Sequence, residues 1–119
     1  MIEFLTAPNL GDLELGEPTR KPTSIDREQW EASCQLWTSN DGKLVIGVWE
    51  CTPGRFSANR EKASETCHLI SGKITLRGED GQTHDLAAGD MLVLPRGWRG
   101  EWTLHETVRK LYIIHADAE

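Results

Sequence analysis

Apolar and polar residues alternate in short blocks along most of the chain, and turn residues separate the blocks. From residue 34 onward the repeat is two. CQLWTS (34–39) and KLVIGVWEC (43–51) flank Asn40-Asp41-Gly42, and KITLRG (73–78) and QTHDL (82–86) flank Glu79-Asp80-Gly81. Asp-Gly between two β-like runs is a strong short-range hairpin signal, because glycine accepts the backbone that tight hairpin turns need. MLVLP (91–95) reads as a short buried strand ended by Pro95, which gives a sheet ladder no N–H. EWTLHE (101–106) and VRKLYIIH (108–115) complete the set. Many short strands divided by Gly, Pro and Asp turns predict an all-β sandwich or barrel.

The first thirty residues differ. Pro8, Gly11, Gly16, Pro18 and Pro22 break them repeatedly. This predicts an extended N-terminal arm over 1–30 ahead of a single domain over 31–119. Such an arm either lies across a sheet edge or a partner subunit, or is a loosely ordered tail. Within SIDREQWEAS (24–33), Ser24 and the acids near the start predict one capped helical turn.

Length and charge narrow the partners. The 119 residues suit one domain. A net charge of −6 argues against nucleic acid, which asks for a basic patch, and no polybasic segment suits an anionic membrane. Apolar runs are too short to span a bilayer. The start, MIEFLTAPNLGDLELGE, lacks the basic region of a secretory signal. Cys34, Cys51 and Cys67 have no C-x-x-C spacing, so reduced thiols and a cytoplasmic location are expected. Five Trp against one Tyr and two Phe is an unusual aromatic set, large in apolar surface, each ring with one N–H to place.

Two stretches carry a resemblance. In AAGDMLVLPRGWRG (87–100), Gly89, five residues, Pro95, one residue and Gly97 resemble the second cupin motif. Glu65, six residues and Gly72 resemble the end of the first. GVWECTPGRF (47–56), ETCHLISG (65–72) and ETVRKLYII (106–114) are similar to the small single-domain cupins grouped with ureidoglycine aminohydrolase domains. The resemblance implies a conical antiparallel β-barrel of jelly-roll type, and a homodimer, which cupins commonly form.

The motif ligands are largely replaced. In metal cupins three imidazoles and one carboxylate hold the ion. Here the first-motif histidines fall on Asn59 and Glu61, or with one more residue of spacing on Ala58 and Arg60. The second-motif histidine falls on Gly100 and its Asn on Leu104. Of the four ligands only Glu65 is kept, so no metal cofactor is expected. The alternative is a hard-oxygen set of Asn59, Glu61 and Glu65 for Mn or another divalent cation.

Strand alternation places other candidates. If Glu65 points into the barrel, so do Cys67 and Leu69, while His68 points out. His84 reads as a rim residue; His105 sits before a turn, and His115 is near the end. Trp98 and Trp102 share a face with Gly100, and Trp49 lines the same space, so a Trp ring fills volume that imidazole and metal would have used. Taken singly, each reads first as plain core packing. Lys110 and Tyr112 share one face of 108–115, suited to partner Glu65, and Arg109 has the other. Both faces carry apolar residues, so alternation leaves open which looks inward. Cys67 as a nucleophile would need a nearby base or cation; otherwise it is a small hydrophobe.

The candidate ligand-binding set is therefore Trp49, Glu65, Cys67, Trp98, Trp102, Lys110 and Tyr112, with Glu65 the best-placed catalytic residue. Three functions are open. One is metal-free binding of a small polar or anionic metabolite. Another is an enzyme resembling ureidoglycine aminohydrolase, with Glu65 as general base or Mn ligand. The third is a structural homodimer whose barrel is packed shut.

Overall fold

The computed structural model describes residues 2–116. Ten strands follow one 3-10 turn at Leu10–Asp12: β1 (Thr19–Arg20), β2 (Trp30–Thr38), β3 (Leu44–Cys51), β4 (Gly54–Asn59), β5 (Ala63–Ser71), β6 (Lys73–Gly78), β7 (Thr83–Ala87), β8 (Met91–Leu94), β9 (Arg99–Leu104) and β10 (Val108–Ala116). They form a six-stranded sheet, β1-β2-β3-β10-β5-β8, and a four-stranded sheet, β4-β9-β6-β7. Every pairing is antiparallel. The two sheets face each other in a cupin-type jelly roll, and the all-β expectation holds. Among the described residues no helix is long and apolar enough to cross a membrane.

Both expected hairpins form. β2 pairs with β3 and β6 with β7, around turns whose glycines, Gly42 at φ 75 and Gly81 at φ 86, occupy the left-handed region that other residues avoid. The core lies between the sheets. Trp49, Phe56 and Trp102 form its aromatic centre, with Phe56 and Trp102 stacked at 5.8 Å and Trp49 edge-on to both. Leu69, Ile74, Leu76, Leu92, Leu94, Leu104 and Val108 fill the rest.

Two expectations need correction. The helical turn over 24–33 is absent: Ser24 forms an isolated bridge, residues 25–29 are bends and coil, and β2 begins at Trp30. Long-range bonds win over local helix formation here. Gln29 is fully buried, donates to the Thr52 carbonyl at 3.1 Å and accepts from Ser24 Oγ at 2.8 Å. A helical turn would leave that buried amide without these partners, at a cost local propensity cannot offset. Second, β8 is not buried on both faces. Leu92 and Leu94 point inward, but Met91 and Val93 are 58% and 52% exposed, because β8 is an edge strand covered on one side only.

The arm is extended and tied down at two places. Its 3-10 turn lies beside β5, held by Arg109, whose Nη1 donates to the carbonyls of Leu10 (2.8 Å) and Leu13 (2.9 Å). Further on, β1 adds to the edge of β2, while Ser24 bridges Phe56 on β4. Residues 19–25 thus connect the edges of both sheets along one seam.

Candidate functional site

Glu65 is placed by β5, whose alternation sends Glu65, Cys67 and Leu69 inward and His68 outward. β10 lies beside it in antiparallel register, Tyr112 opposite Cys67 and Ile114 opposite Glu65. Its inward face, open on sequence alone, carries Val108, Lys110, Tyr112 and Ile114, with Arg109 on the other face. Lys110 Nζ therefore reaches Glu65 Oε2 at 2.9 Å. Both groups are almost wholly buried, Glu65 at 5% exposure and Lys110 at 7%.

A cavity of ≈ 370 Å³ opens above this pair. Trp49, Phe56 and Trp102 wall it, with Tyr112 alongside, and Ser33 and Gln35 of β2 add polar edges. Three cations line it, Lys21, Arg60 and Lys110, against Glu65 alone among the acids. Lys110 Nζ lies 4.4 Å from the Trp49 ring centroid and 4.3 Å from that of Trp102. Lys21 Nζ lies 4.2 Å from the Phe56 ring centroid and bonds Glu31 at 3.0 Å. That same Glu31 oxygen accepts from Trp49 Nε1 at 2.9 Å, which satisfies the indole N–H. Cations over aromatic faces in a desolvated space are held by the negative π surface.

Arg60 is the decisive neighbour. Its Nη1 is 3.6 Å from Glu65 Oε1, and its Nε is buried without a hydrogen-bond partner among the described residues. An unmatched buried guanidinium N–H keeps a donor available to a water molecule or a ligand.

Charge state follows from these contacts. Burial pushes the Glu65 carboxyl up, but Lys110, through charge and hydrogen bond, together with Arg60 and the Cys67 thiol, pulls it below the usual range. Burial pulls Lys110 down, and the Glu65 charge, the neighbouring Cys67 sulfur and the hydrogen bond to Glu65 together outweigh this, leaving it above an ordinary lysine. At neutral pH the pair is an ionised carboxylate and an ammonium. Burial pushes the Cys67 thiol up to about 12, so it is not a thiolate nucleophile. Burial also raises Tyr112, which stays a phenol.

The candidates separate accordingly. Trp49, Glu65, Trp102, Lys110 and Tyr112 meet at the cavity surface. Cys67 lies beneath Glu65, bonded to it and away from the cavity wall. Trp98 packs at the core margin, its ring on Gly100; a side chain at position 100 would strike that ring and the Arg77 carbonyl. The Trp98 ring thus occupies the space beside Gly100, and it does not line the cavity.

Of the two motif spacings, the longer one faces inward: Ala58 and Arg60 line the cavity, whereas Asn59 and Glu61 are exposed and Glu61 pairs with Arg99 at 3.7 Å. The set Asn59, Glu61 and Glu65 is not brought together. Among the described residues no three His, Cys, Asp or Glu side chains are grouped to hold a metal ion. The residues around Glu65 do not fit the cupin metal centre, since its oxygens face an ammonium and a guanidinium instead of imidazoles. Lys21 and Arg60 were not among the sequence candidates. Arg60 was legible in the longer motif spacing, but Lys21 lies in a Pro-flanked segment with no local pattern.

A family model described as the EutQ-like cupin domain matches residues 38–112. A protein of unknown function in the DUF861 family, from Pseudomonas syringae pv. tomato, is similar in structure with a TM-score of 0.77 and 27% identity over 87% of this chain. The alignment spans 45% of that protein, so the chain matches less than half of its length. A DUF861 protein from Thermotoga maritima is 34% identical over 55% of this chain and 73% of its own, with a TM-score of 0.52. The EutQ protein of Clostridium difficile aligns over 94% of this chain and 87% of its own, with a TM-score of 0.72 and 16% identity. No curated protein matches the chain.

Proposed function

The chain belongs to the EutQ-like cupin domain family, and we propose that its barrel is a metal-free compartment binding a small anionic metabolite, a carboxylate above all. The observation that carries this reading is the charge of the cavity: Lys21, Arg60 and Lys110 against Glu65, with Arg60 Nε buried and unmatched. In a metal cupin the glutamate's counter-charge is the ion. Here the Lys110 ammonium neutralises Glu65 at 2.9 Å, which leaves Arg60 to receive an incoming anion, with Lys21, held by Glu31 at 3.0 Å, beside it. The aromatic walls give the ligand's body an apolar surface, as small-molecule sites commonly do. Reduced thiols and a cytoplasmic location belong to the same reading.

The test is thermal unfolding against a panel of mono- and dicarboxylates, followed by Arg60→Met. A saturable rise in Tm that Arg60→Met abolishes, with the fold retained, is the expected result. A panel without any saturable rise would overturn the proposal. So would one stoichiometric ion per chain surviving dialysis against chelator.

The ureidoglycine aminohydrolase-like alternative rests on an ionised carboxylate bordering a cavity. Against it, a carboxylate clamped by Lys110 and Arg60 with a lowered pKa is a weak general base. Glu65→Gln decides: that reading requires loss of turnover with the fold kept. The packed-shut homodimer does not suit a cavity of ≈ 370 Å³ beside Glu65; dimerisation itself is compatible with binding and is read by light scattering.

A further inference from the structure

We propose that the metabolite held in the cavity is a hydroxycarboxylate, and that Tyr112, positioned by Gly47, reads its hydroxyl group. This rests on the anion-binding reading of the cavity and adds what distinguishes one anion from another. Gln35, Gly47 and Tyr112 stand in one row across β2, β3 and β10, and Ser33, Trp49 and Lys110 stand in the next. In the first row the middle position has no side chain. Tyr112 fills that gap: a Cβ at position 47 would strike its Cζ and Oη, and would lie 2.6 Å from the Cys34 carbonyl of β2. A glycine inside a strand often marks such a close approach. Gly47 lies between Val45 and Trp49, which both line the cavity, so the phenol oxygen is carried across β3 toward β2 on the cavity side.

The Tyr112 side chain makes no hydrogen bond among the described residues, and neither does the Ser33 hydroxyl. Unlike Arg60 Nε, neither oxygen is sealed from solvent. Burial raises the phenol, so it keeps a proton to donate. The anion end of the same cavity is on another wall. Arg60 follows β4 and reaches Glu65, which stands two positions along β5 from Cys67, the residue opposite Tyr112. At ≈ 370 Å³ the cavity is near the small end of ligand sites, about 300–1,000 Å³, so one small molecule borders both walls.

The chemistry of the second wall selects the second group. Phenol, hydroxyl and amide groups both donate and accept. A ligand hydroxyl does the same, so it can bond to Tyr112 and to Ser33 or Gln35 together. The Glu65–Lys110 pair is matched within itself at 2.9 Å, so neither an ammonium nor a second carboxylate finds a counter-charge beside Tyr112. Trp49, Phe56 and Trp102 cover the carbon chain between the two polar ends.

The experiment is isothermal titration calorimetry of the full chain with two matched pairs, propionate against lactate and succinate against malate, each pair differing by a single hydroxyl. The hydroxylated acid should bind about three- to tenfold more tightly, the net effect of a neutral hydrogen bond. In Tyr112→Phe, which keeps the ring over Gly47, that ratio should fall to about one. The ratio is taken within each protein, so a general weakening cancels. Gly47→Ala should collapse it too, and adding Tyr112→Phe should lower it no further, a non-additivity that lost stability alone does not produce. If Gly47→Ala does not fold, Tyr112→Phe decides by itself. Parent acids that bind as tightly as their hydroxylated partners, or a ratio that survives Tyr112→Phe, overturn this inference and leave the anion site standing. Pyruvate binding as tightly as lactate overturns it as well, since an oxo group only accepts. The absence of saturable heat with every acid overturns the anion site and this inference together.

Discussion

Lys110 and Glu65 are buried together, and neither charge could be buried alone without a large cost. Lys110→Met leaves Glu65 ionised in an aromatic cavity with only Arg60, at 3.6 Å, for compensation. A loss of ~3–5 kcal/mol is expected in urea unfolding. The double variant Glu65→Leu with Lys110→Met should recover most of it, because the desolvation cost goes with the pair. A single variant as stable as the parent would refute the coupling. The same pair sets a pH dependence. Glu65 has a folded pKa below its ordinary 4.5, so its contribution is present above that value and lost as pH falls through the folded one. Lys110 is raised above its ordinary 10.5, so its contribution is present below that value and lost as pH rises through the folded one. Unfolding followed from pH 3 to 11 should show a plateau between these limits with losses at both ends. Glu65 was readable from motif spacing alone. Its partner was not, since choosing between the faces of β10 requires knowing which side the other sheet covers.

At the level of elements, strand and turn chemistry was legible wherever the chain interacts with near neighbours. Gly42 and Gly81 close the two hairpins at the Asp-Gly positions. Segment 24–29 was misread because its partners, Thr52 and Phe56, are more than twenty residues away. The N-terminal turn depends on one distant side chain in the same way. Arg109 joins Glu50 (2.8 Å) to the carbonyls of Leu10 and Leu13. Arg109→Ala should release this turn: the amides of Asp12 and Leu13, bonded to Asn9 and Leu10, would lose hydrogen-exchange protection. Amides of β3 and β5 would keep theirs, because local opening does not require the sheets to part. Unaltered protection at residues 12 and 13 would assign the turn's order to other contacts. The global cost is expected at about 1–2 kcal/mol.

For the whole molecule, the seam closed by residues 19–25 predicts a sharp difference between two truncations. Removing residues 1–18 takes away the Arg109-held turn and should leave a cooperative fold. Removing 1–29 also takes away β1, Lys21 and the buried Gln29, exposing the edges of β2 and β4 beside the aromatic centre. That protein should lose its near-UV tryptophan signal and unfold without cooperativity; a native signal would show that the seam is dispensable. The sequence alone determined the fold class, the two hairpins, the strand alternation that turns Glu65 inward and the loss of the cupin histidines, because these follow from residue type and spacing along one strand or one turn. Only the tertiary structure decided that Ala58 and Arg60 hold the histidine positions, that Lys110 supplies the counter-charge, and that Lys21 enters the cavity. Those arrangements depend on register between strands remote in sequence, and register is settled by how two sheets bury their shared core.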